Sequence, residues 1–260
     1  MECRICGSTT EFFSKATILQ RYNISYFKCP ACYSVQTEYP FWLDEAYSEV
    51  INRSDIGIVS RTLDFTKICK ILIKCFFPEN GKFIDFGAGY GLFVRMMRDS
   101  GYNFYWQDKY CENIFAKDFI AKENTKYDLL TAFEVFEHLV NPIKELEEML
   151  NLSNSIFFST FLIPASFPLP EQWWYYALEH GQHITLYSKE TLKYLAAKLN
   201  LNLYTNNKHL HLLTPKKISK ACYKFITIPY IADTFHYLAS RHTLLDRDYE
   251  QVLSKIKNNT

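Results

Sequence analysis

Four cysteines near the N-terminus have the spacing of a metal site. They form two Cys-x2-Cys pairs, Cys3/Cys6 and Cys29/Cys32, with 22 residues between the pairs. Each pair can direct two thiolates at one ion, and four thiolates complete the tetrahedral shell of Zn²⁺. Because four protein ligands leave no open position, the spacing predicts a structural zinc ion rather than a catalytic one. Four unrelated buried thiols, or redox pairs, are the alternative.

Three of the chain's eight glycines lie within five positions, at Gly87, Gly89 and Gly91, between a short apolar strand and a helix. Gly87 permits a tight turn, Gly89 lets a ligand approach the backbone, and Gly91 permits close packing of the helix. A dinucleotide fingerprint would need glycine at Leu92, so a pyrophosphate ligand fits poorly. Asp85 favours a positively charged ligand instead. The alternative is a tight strand–helix turn without a ligand.

The segment 85–91 resembles the first motif, D/E-x-G-x-G-x-G, of class I S-adenosylmethionine-dependent methyltransferases. The segment 134–142, EVFEHLVNP, is similar to that family's E-V-L-E-H-V-x-D-P stretch after the fourth strand, departing at Phe136 and Asn141. An acid at the tip of the second strand binds the ribose hydroxyls in this family, and Asp108 has that place. The resemblance implies S-adenosylmethionine as cofactor, bound by Asp85, Gly87, Ala88, Gly89, Gly91, Asp108, Phe133 and Glu134.

A long aromatic and Pro-rich segment, 162–179, is predicted to leave the carboxyl end of a strand, where ligands bind in open α/β sheets. The segment contains Trp-Trp-Tyr-Tyr at 173–176, whose flat faces suit a sugar or another planar substrate. Glu179, His180 and His183 follow. A neutral histidine is a natural base for a hydroxyl, and a neighbouring carboxylate can orient it. We therefore expect His180 to be the catalytic base, supported by Glu179 or His183. A lid held by hydrophobicity and a packing role for His183 are the alternatives.

The elements that would position these residues are those of an α/β fold. The resemblance, which covers about residues 75–214, implies a Rossmann-like seven-stranded sheet with helices on both faces. The third strand is expected at 115–120, and an antiparallel hairpin at 201–213 is expected to close the sheet. The predicted domains are a zinc-binding module at 1–40, a helical linker at 41–78, a cofactor-binding methyltransferase domain at 79–214 and a helical C-terminal extension at 215–260.

Composition excludes several classes of protein. With 48% hydrophobic and 22% charged residues among 260, the chain is globular rather than disordered. A formal net charge of +1 gives no global basic field, so nucleic acid is an unlikely partner. No apolar run reaches the ~18 residues of a membrane span, and no secretory signal is recognisable at the N-terminus. These features predict a cytoplasmic protein.

The combination of zinc module, first motif and E-H-G-x-H also resembles methyltransferases of bacterial sugar and polysaccharide biosynthesis. It implies methyl transfer to a small-molecule acceptor, namely a saccharide or nucleotide-sugar of cell-surface polysaccharide biosynthesis. The basic tail after Lys216 could bind a phosphate-bearing substrate, or it could be a solvated helical face. A module that binds the cofactor without turnover, and a methyltransferase acting on protein or nucleic acid, remain as alternatives.

Overall fold

The computed structural model describes residues 1–48 and 55–258. Positions 49–54 of the expected linker and the last two residues of the expected C-terminal extension lie outside the described residues. The described chain forms two compact units. Unit 1 comprises 1–48, 132–151 and 155–217, and unit 2 comprises 55–131, 152–154 and 218–258.

Ten strands and eight α-helices occur in the described residues. The strands are β1 (Glu11–Ile18), β2 (Tyr22–Lys28), β3 (Val35–Thr37), β4 (Lys82–Phe86), β5 (Asn103–Gln107), β6 (Leu129–Phe133), β7 (Ile156–Ser159), β8 (Thr185–Leu186), β9 (Asn202–Thr205) and β10 (Leu210–Thr214). The helices are α1 (Leu43–Ala46), α2 (Ile58–Phe76), α3 (Leu92–Asp99), α4 (Pro142–Leu152), α5 (Lys189–Lys198), α6 (Lys220–Ile226), α7 (Pro229–Phe235) and α8 (Leu245–Asn258).

The strands form two sheets, in the orders β5-β4-β6-β7-β10-β9 and β1-β2-β3-β8. In the larger sheet, β4 pairs in parallel with both β5 and β6, and Asp85 lies opposite Trp106 and Thr131. Strand β10 pairs antiparallel with β7 and β9, which confirms the predicted terminal hairpin. Central parallel strands that are buried on both faces read as apolar runs, and β4 and β6 have that pattern. The sheet therefore fits a Rossmann-like α/β fold.

The predicted seven-strand count is not confirmed, because the larger sheet has six strands within the described chain. The expected third strand, 115–120, forms only an isolated bridge between Ile120 and Trp106. The chain before it turns through Asn113, whose side chain accepts a hydrogen bond from Ala116 N and donates one to Ala116 O. An asparagine turn of this kind satisfies backbone groups locally and competes with strand pairing.

The smaller sheet belongs entirely to unit 1. Its last strand, β8, comes from far along the chain and pairs antiparallel with β3, with Val35 opposite Leu186. Buried side chains from both regions form one hydrophobic core. Its members include Ile18, Tyr26, Val35, Trp42, Ile163, Tyr175, Tyr176, Ile184 and Leu186. The N-terminal residues and the segment 163–186 are thus stabilised by the same buried apolar surface.

The last helices belong to unit 2, where a buried ion pair holds α8. Arg98 Nη2 and Nε donate to the two carboxylate oxygens of Asp248 at 2.6 and 2.7 Å. A bidentate guanidinium–carboxylate pair compensates two charges that would otherwise be costly to bury. No helix within the described residues is long and apolar enough to cross a membrane.

Acid should destabilise the protein because its sheet buries a neutral histidine. His211 on β10 contacts Thr160 O through Nε2 at 3.0 Å and Thr205 Oγ1 through Nδ1 at 2.8 Å. Burial lowers the pKa of His211 to about 3 from 6.5. The unfolded chain therefore takes up this proton below pH 6.5 while the folded chain does not, so stability falls as pH drops toward 3. One such proton changes the free energy of unfolding by about 1.4 kcal/mol per pH unit.

Urea unfolding at several pH values between 7 and 5 measures this slope. We expect His211→Leu to reduce the slope by up to one proton. An identical slope in wild type and His211→Leu would show that His211 does not contribute to acid sensitivity.

Candidate active site

The glycine loop after β4 has the geometry of a ligand-binding turn. Gly89 and Gly91 have φ of +53° and +85°, in the left-handed region that favours glycine. A Cβ at Gly91 would lie 2.9 Å from Asn113 Oδ1 and 3.3 Å from Ala116 Cβ, so this position is closed by packing. A Cβ at Gly89 would meet nothing within 4 Å. The backbone at Gly89 is therefore open, as expected for the glycine that a ligand approaches.

Asp108 follows β5 and ties this loop to the strand. Its Oδ2 accepts a hydrogen bond from Gly89 N at 2.9 Å, and its Oδ1 accepts from Tyr110 N and Cys111 N at 2.7 and 2.8 Å. Trp106 on the same strand donates from Nε1 to Gly89 O at 2.8 Å. A carboxylate has about four lone-pair sites and three are used here, so Asp108 retains acceptor capacity for one hydroxyl of a ligand.

Asp85 and Ala88 complete the part of the loop that lies in unit 2. Ala88 N donates to Gln107 O at 3.2 Å. Asp85 is buried at the end of β4 and accepts a 2.6 Å hydrogen bond from Thr131 Oγ1. Burial is the main cause that raises the pKa of Asp85 to about 7, and the negative charge of Asp108 raises it further. A positively charged ligand would favour the ionised carboxylate.

Phe133 and Glu134 lie at and just after the end of β6, in unit 1. The Phe133 ring makes an edge contact with Phe157, with 5.4 Å between ring centroids. Glu134 has φ of +52°, which is uncommon for a residue with a side chain. Ser159 Oγ holds it there by accepting from Glu134 N at 2.8 Å and donating to Glu134 Oε1. Such strain is retained where the surroundings hold the residue in place, and functional sites are common among these places.

Three histidines and a buried carboxylate form a cluster in unit 1. The His183 ring lies 4.9 Å from that of His138 and 5.2 Å from that of His180, between ring centroids. A ring nitrogen of His138, one of His183 and a carboxylate oxygen of Glu137 all lie within 4.8 Å of one another. Tyr175 OH donates to Glu137 Oε1 at 2.7 Å. The structure thus brings together His180 and His183, as the sequence predicted, and adds His138, Glu137 and Tyr175.

Hydrogen bonds fix which ring nitrogen carries the proton in His183 and in His180. His183 Nδ1 lies 2.7 Å from Tyr175 O; a carbonyl only accepts, so Nδ1 carries the proton and Nε2 keeps its lone pair. His180 Nδ1 accepts from Gln182 N at 3.3 Å, so in the neutral ring the proton lies on Nε2. His183 therefore offers a basic nitrogen, and His180 offers an N–H donor.

Electrostatics favour the neutral form of His138. Burial is the main cause that lowers the pKa of His138 well below 6.5, with smaller contributions from His183 and His180. Tyr47 OH lies 3.1 Å from His138 Nδ1. Burial also raises the pKa of Tyr175 well above its usual range, so its hydroxyl stays protonated and donates to Glu137.

The remaining residues of the expected acceptor site are divided between surface and core. Glu179 is exposed, and among the described contacts none joins its carboxylate to His180. Trp174 is 68% exposed, whereas Tyr175 and Tyr176 are buried in the core of unit 1. Of the four aromatic residues at 173–176, the two tyrosines therefore cannot offer a face to a substrate.

The sulfur atoms of the four N-terminal cysteines all lie within 4.8 Å of one another. Cys3 Sγ lies 3.6 Å from Cys32 Sγ, and Cys6 Sγ lies 3.4 Å from Cys29 Sγ. These distances approach the roughly 3.8 Å edge of a tetrahedron with 2.3 Å Zn–S bonds. In each pair the first cysteine carbonyl accepts from the residue after the second cysteine, namely Gly7 or Tyr33. The donor set and its paired geometry fit Zn²⁺.

The sequence marked some residues of these sites only through the segment that contains them, and it did not mark others at all. Glu137 and His138 lie inside the E-H stretch, and Tyr175 lies inside the aromatic loop, so their segments were marked although their roles were not. Tyr47 lies in the expected linker, and nothing in its neighbourhood predicts a contact with His138. The sequence around Trp106 is typical of a strand and does not predict its hydrogen bond to Gly89 O.

Replacing Asp108 with alanine should weaken binding of S-adenosylmethionine and S-adenosylhomocysteine alike. Loss of one charge-assisted hydrogen bond costs about 1.5–3 kcal/mol, which corresponds to roughly 10- to 150-fold in Kd. Calorimetric titration measures both affinities. The exposed Glu112→Ala is the matched control, because Glu112 follows the same strand. Unchanged affinity in Asp108→Ala with loss in Glu112→Ala would move the ribose site to Glu112.

Comparison with known proteins identifies the family to which the chain belongs. Residues 61–206 match the family model of the methyltransferase domain, which is more than half of the chain. No curated protein matches this sequence.

Solved structures with a similar fold are distant. They include an O-methyltransferase family 2 protein from Planctomyces limnophilus in complex with apigenin (12% identity, TM-score 0.40, covering 60% of this chain and 62% of that one). The plantazolicin methyltransferase BpumL has 13% identity and a TM-score of 0.46, over 67% of this chain and 93% of that one. A possible histamine N-methyltransferase from Thermotoga maritima has 13% identity and a TM-score of 0.45, over 68% and 98%. The chain thus spans less than two thirds of the Planctomyces protein. The assignment of this chain to a family comes from the family model. The chain belongs to the methyltransferase domain family and is a class I S-adenosylmethionine-dependent methyltransferase.

Proposed function

We propose that this enzyme transfers the methyl group of S-adenosylmethionine to a hydroxyl of a small saccharide or nucleotide-sugar. The observation that carries the proposal is the histidine cluster of unit 1, in which His183 presents a lone pair and His180 an N–H. The sulfonium of the cofactor supplies an already activated methyl group, so the protein must align the acceptor and remove its proton.

The proposed acceptor chemistry uses the two histidines differently. His183 Nε2 takes the proton of the acceptor hydroxyl as its oxygen bonds to the methyl carbon, and the bond from that carbon to sulfur breaks. The bond between His183 Nδ1 and Tyr175 O orients the ring and stabilises the imidazolium that forms. His180 donates from Nε2 to a neighbouring oxygen of the acceptor. The sequence predicted His180 as the base, whereas the hydrogen bonds of the two rings favour His183. Exposed Glu179 contributes negative charge beside His180.

The cofactor is proposed to bind at the loop from Asp85 to Asp108 in unit 2. Gly89 exposes its backbone to the cofactor, and Gly87 and Ala88 belong to the same turn. Gly91 lets α3 pack closely behind the turn, and Asp108 holds the ribose. Asp85 stabilises the positive end of the molecule. Phe133 and Glu134, at the end of β6, are proposed to contact its methionine part.

A sugar acceptor is supported by the aromatic surface and by the charge of the tail. Trp174 is exposed and can stack on the apolar face of a sugar ring. Between 216 and 260 the chain has eight Lys or Arg residues and four acids, which suits a phosphate-bearing substrate. A protein or nucleic-acid acceptor, and cofactor binding without turnover, are the competing functions.

We further propose that the four N-terminal cysteines hold one structural Zn²⁺ and that the enzyme acts in the cytoplasm. None of the eight cysteines, all of which lie in the described part of the chain, forms a disulfide, which suits a reducing compartment. The expected division into a zinc module (1–40), linker (41–78), methyltransferase domain (79–214) and C-terminal extension (215–260) stays part of this proposal.

Turnover with separate acceptor classes tests the function. Nucleotide-sugars, free saccharides, peptides and oligonucleotides are each incubated with enzyme and cofactor, and S-adenosylhomocysteine is measured. We expect release only with the sugar class, and Trp174→Ala should raise KM for the sugar more than it lowers kcat. Release with peptides or oligonucleotides alone would replace the sugar by that class. Cofactor binding without release in any class would favour the binding module.

A further inference from the structure

A half-buried arginine connects the first cysteine pair to the histidine segment. Arg4 lies between Cys3 and Ile5, and its guanidinium donates to three backbone carbonyls: Ile184 O at 2.8 Å, Thr37 O at 3.0 Å and Glu38 O at 2.7 Å. Its backbone N–H donates to Gln36 Oε1 at 2.8 Å. All of these residues belong to unit 1.

Ile184 is the residue after His183, and hydrogen bonds fix it on both sides. Its N–H donates to Glu137 O at 2.9 Å, and its carbonyl accepts from Arg4 Nη1 and from Thr37 N. The peptide that follows His183 is thereby held between the segment that carries Glu137 and the first cysteine pair. Movement of this peptide would move the His183 ring relative to Tyr175.

The second cysteine pair supports the same region of chain. Cys32 O accepts from Thr191 Oγ1 at 2.8 Å, and Thr191 belongs to the first turn of α5. Ser188, the N-cap of that helix, contacts the same carbonyl at 3.4 Å. Arg4, which lies between the cysteines of the first pair, and Cys32 of the second pair therefore both contact the segment 184–191, which begins next to His183.

Arginine suits this position because of its fixed fork of five donors. Burial lowers the pKa of Arg4 to about 10, which still leaves it charged at neutral pH. A planar guanidinium can serve carbonyls of two different segments at once, whereas a lysine ammonium is a single point charge on a flexible stem. A cation bonded to several carbonyls fixes their relative positions more firmly than neutral donors do.

We propose that Arg4 is a positioning residue that, through Ile184, couples the four-cysteine centre to the placement of His183. The proposal rests on the proposed role of His183 in proton transfer. It gives the N-terminal metal centre a part in catalysis without contact with the reacting atoms.

Side-chain NMR of the histidines tests this coupling without an acceptor. In Arg4→Met, which keeps the apolar stem, the ring resonances of His183 should shift while those of His211 stay in place. His211 is buried in the same unit but bonds to Thr160 and Thr205, so it reports general unfolding. Arg21→Met is the matched control, because Arg21 is an exposed arginine of the same unit that lies in the turn between β1 and β2 and pairs with Glu45.

Kinetics supply the second readout. A displacement of about 1 Å can cost about 10²-fold in rate, so Arg4→Met should lose up to that much in kcat. Cofactor Kd and zinc content should stay within about twofold, the small effect typical of a change outside those sites. Arg4→Lys should recover part of the loss. Unchanged His183 resonances, or equal displacement of His183 and His211, would overturn the proposal. Shifted His183 resonances in Arg4→Met, together with full turnover in His183→Ala, would keep the coupling and refute the proton-transfer role.

Discussion

Replacement of His183 by alanine is expected to lower kcat by about 10²–10⁴, the usual contribution of a positioned general base. The reason is that Nε2 is the ring nitrogen left with a lone pair once Nδ1 has bonded to Tyr175 O. Cofactor affinity should stay within about 0.5 kcal/mol, the size of effect seen for changes away from a binding site. Turnover and calorimetry on the same preparation separate the two effects.

The matched variant is His180→Ala, which removes the neighbouring ring. If His180 donates one hydrogen bond to the acceptor, its loss should cost about 0.5–1.5 kcal/mol, or roughly 2- to 13-fold. Activity of His183→Ala should recover partly at high pH, because the acceptor hydroxyl then ionises more easily. A larger loss in His180→Ala than in His183→Ala would return the base role to His180. Full activity in both variants would indicate an acceptor that needs no base.

Removal of the metal is expected to unfold the N-terminal sheet. Structural zinc sites in small peptides contribute roughly 10–16 kcal/mol of apparent folding free energy, and here the sulfur cluster lies beside the sheet β1-β2-β3-β8. The untreated protein should contain about one zinc ion per chain. A strong chelator should then expose residues 1–48 to limited proteolysis.

The control for metal removal is cofactor binding. The cysteines are not among the residues proposed to bind the cofactor. Cofactor Kd should therefore change by no more than about twofold in chelated protein or in Cys29→Ser, the small effect typical of a change outside a binding site. Protein that is free of metal and yet equally resistant to protease would contradict a structural role for the ion.

Local patterns were sufficient for part of the larger sheet. The antiparallel hairpin predicted at 201–213 is observed as β9 and β10, and Ser188 caps α5 by accepting from Thr191 N, as its residue type predicts. Pairing between distant segments was not predictable in this way. Strand β8 has only two residues, and its partner Val35 is separated from Leu186 by most of the chain. Neither the alternation of apolar and polar residues nor the residue types of turns can identify two strands that pair across such a distance in sequence.

In the candidate site, too, residue types were predictable from local sequence, whereas contacts between distant segments were not. The residue types at 179–183 indicated proton chemistry, and the spacing of the cysteines indicated a metal site. Which histidine keeps a lone pair depends on Tyr175 O and Gln182 N, and these backbone groups have no signature in the sequence. The buried bond between Tyr175 and Glu137 likewise depends on how the aromatic loop packs into the core of unit 1.

Transfer of a labelled methyl group tests the central claim most directly. The enzyme is incubated with S-adenosylmethionine that carries carbon-13 in its methyl group and with a panel of nucleotide-sugars, and the products are identified by mass spectrometry and NMR. We predict a labelled O-methyl group on one sugar, formed by wild type and reduced by about 10²-fold or more in His183→Ala. The absence of label from every sugar, or its arrival on a peptide or an oligonucleotide, would contradict the account.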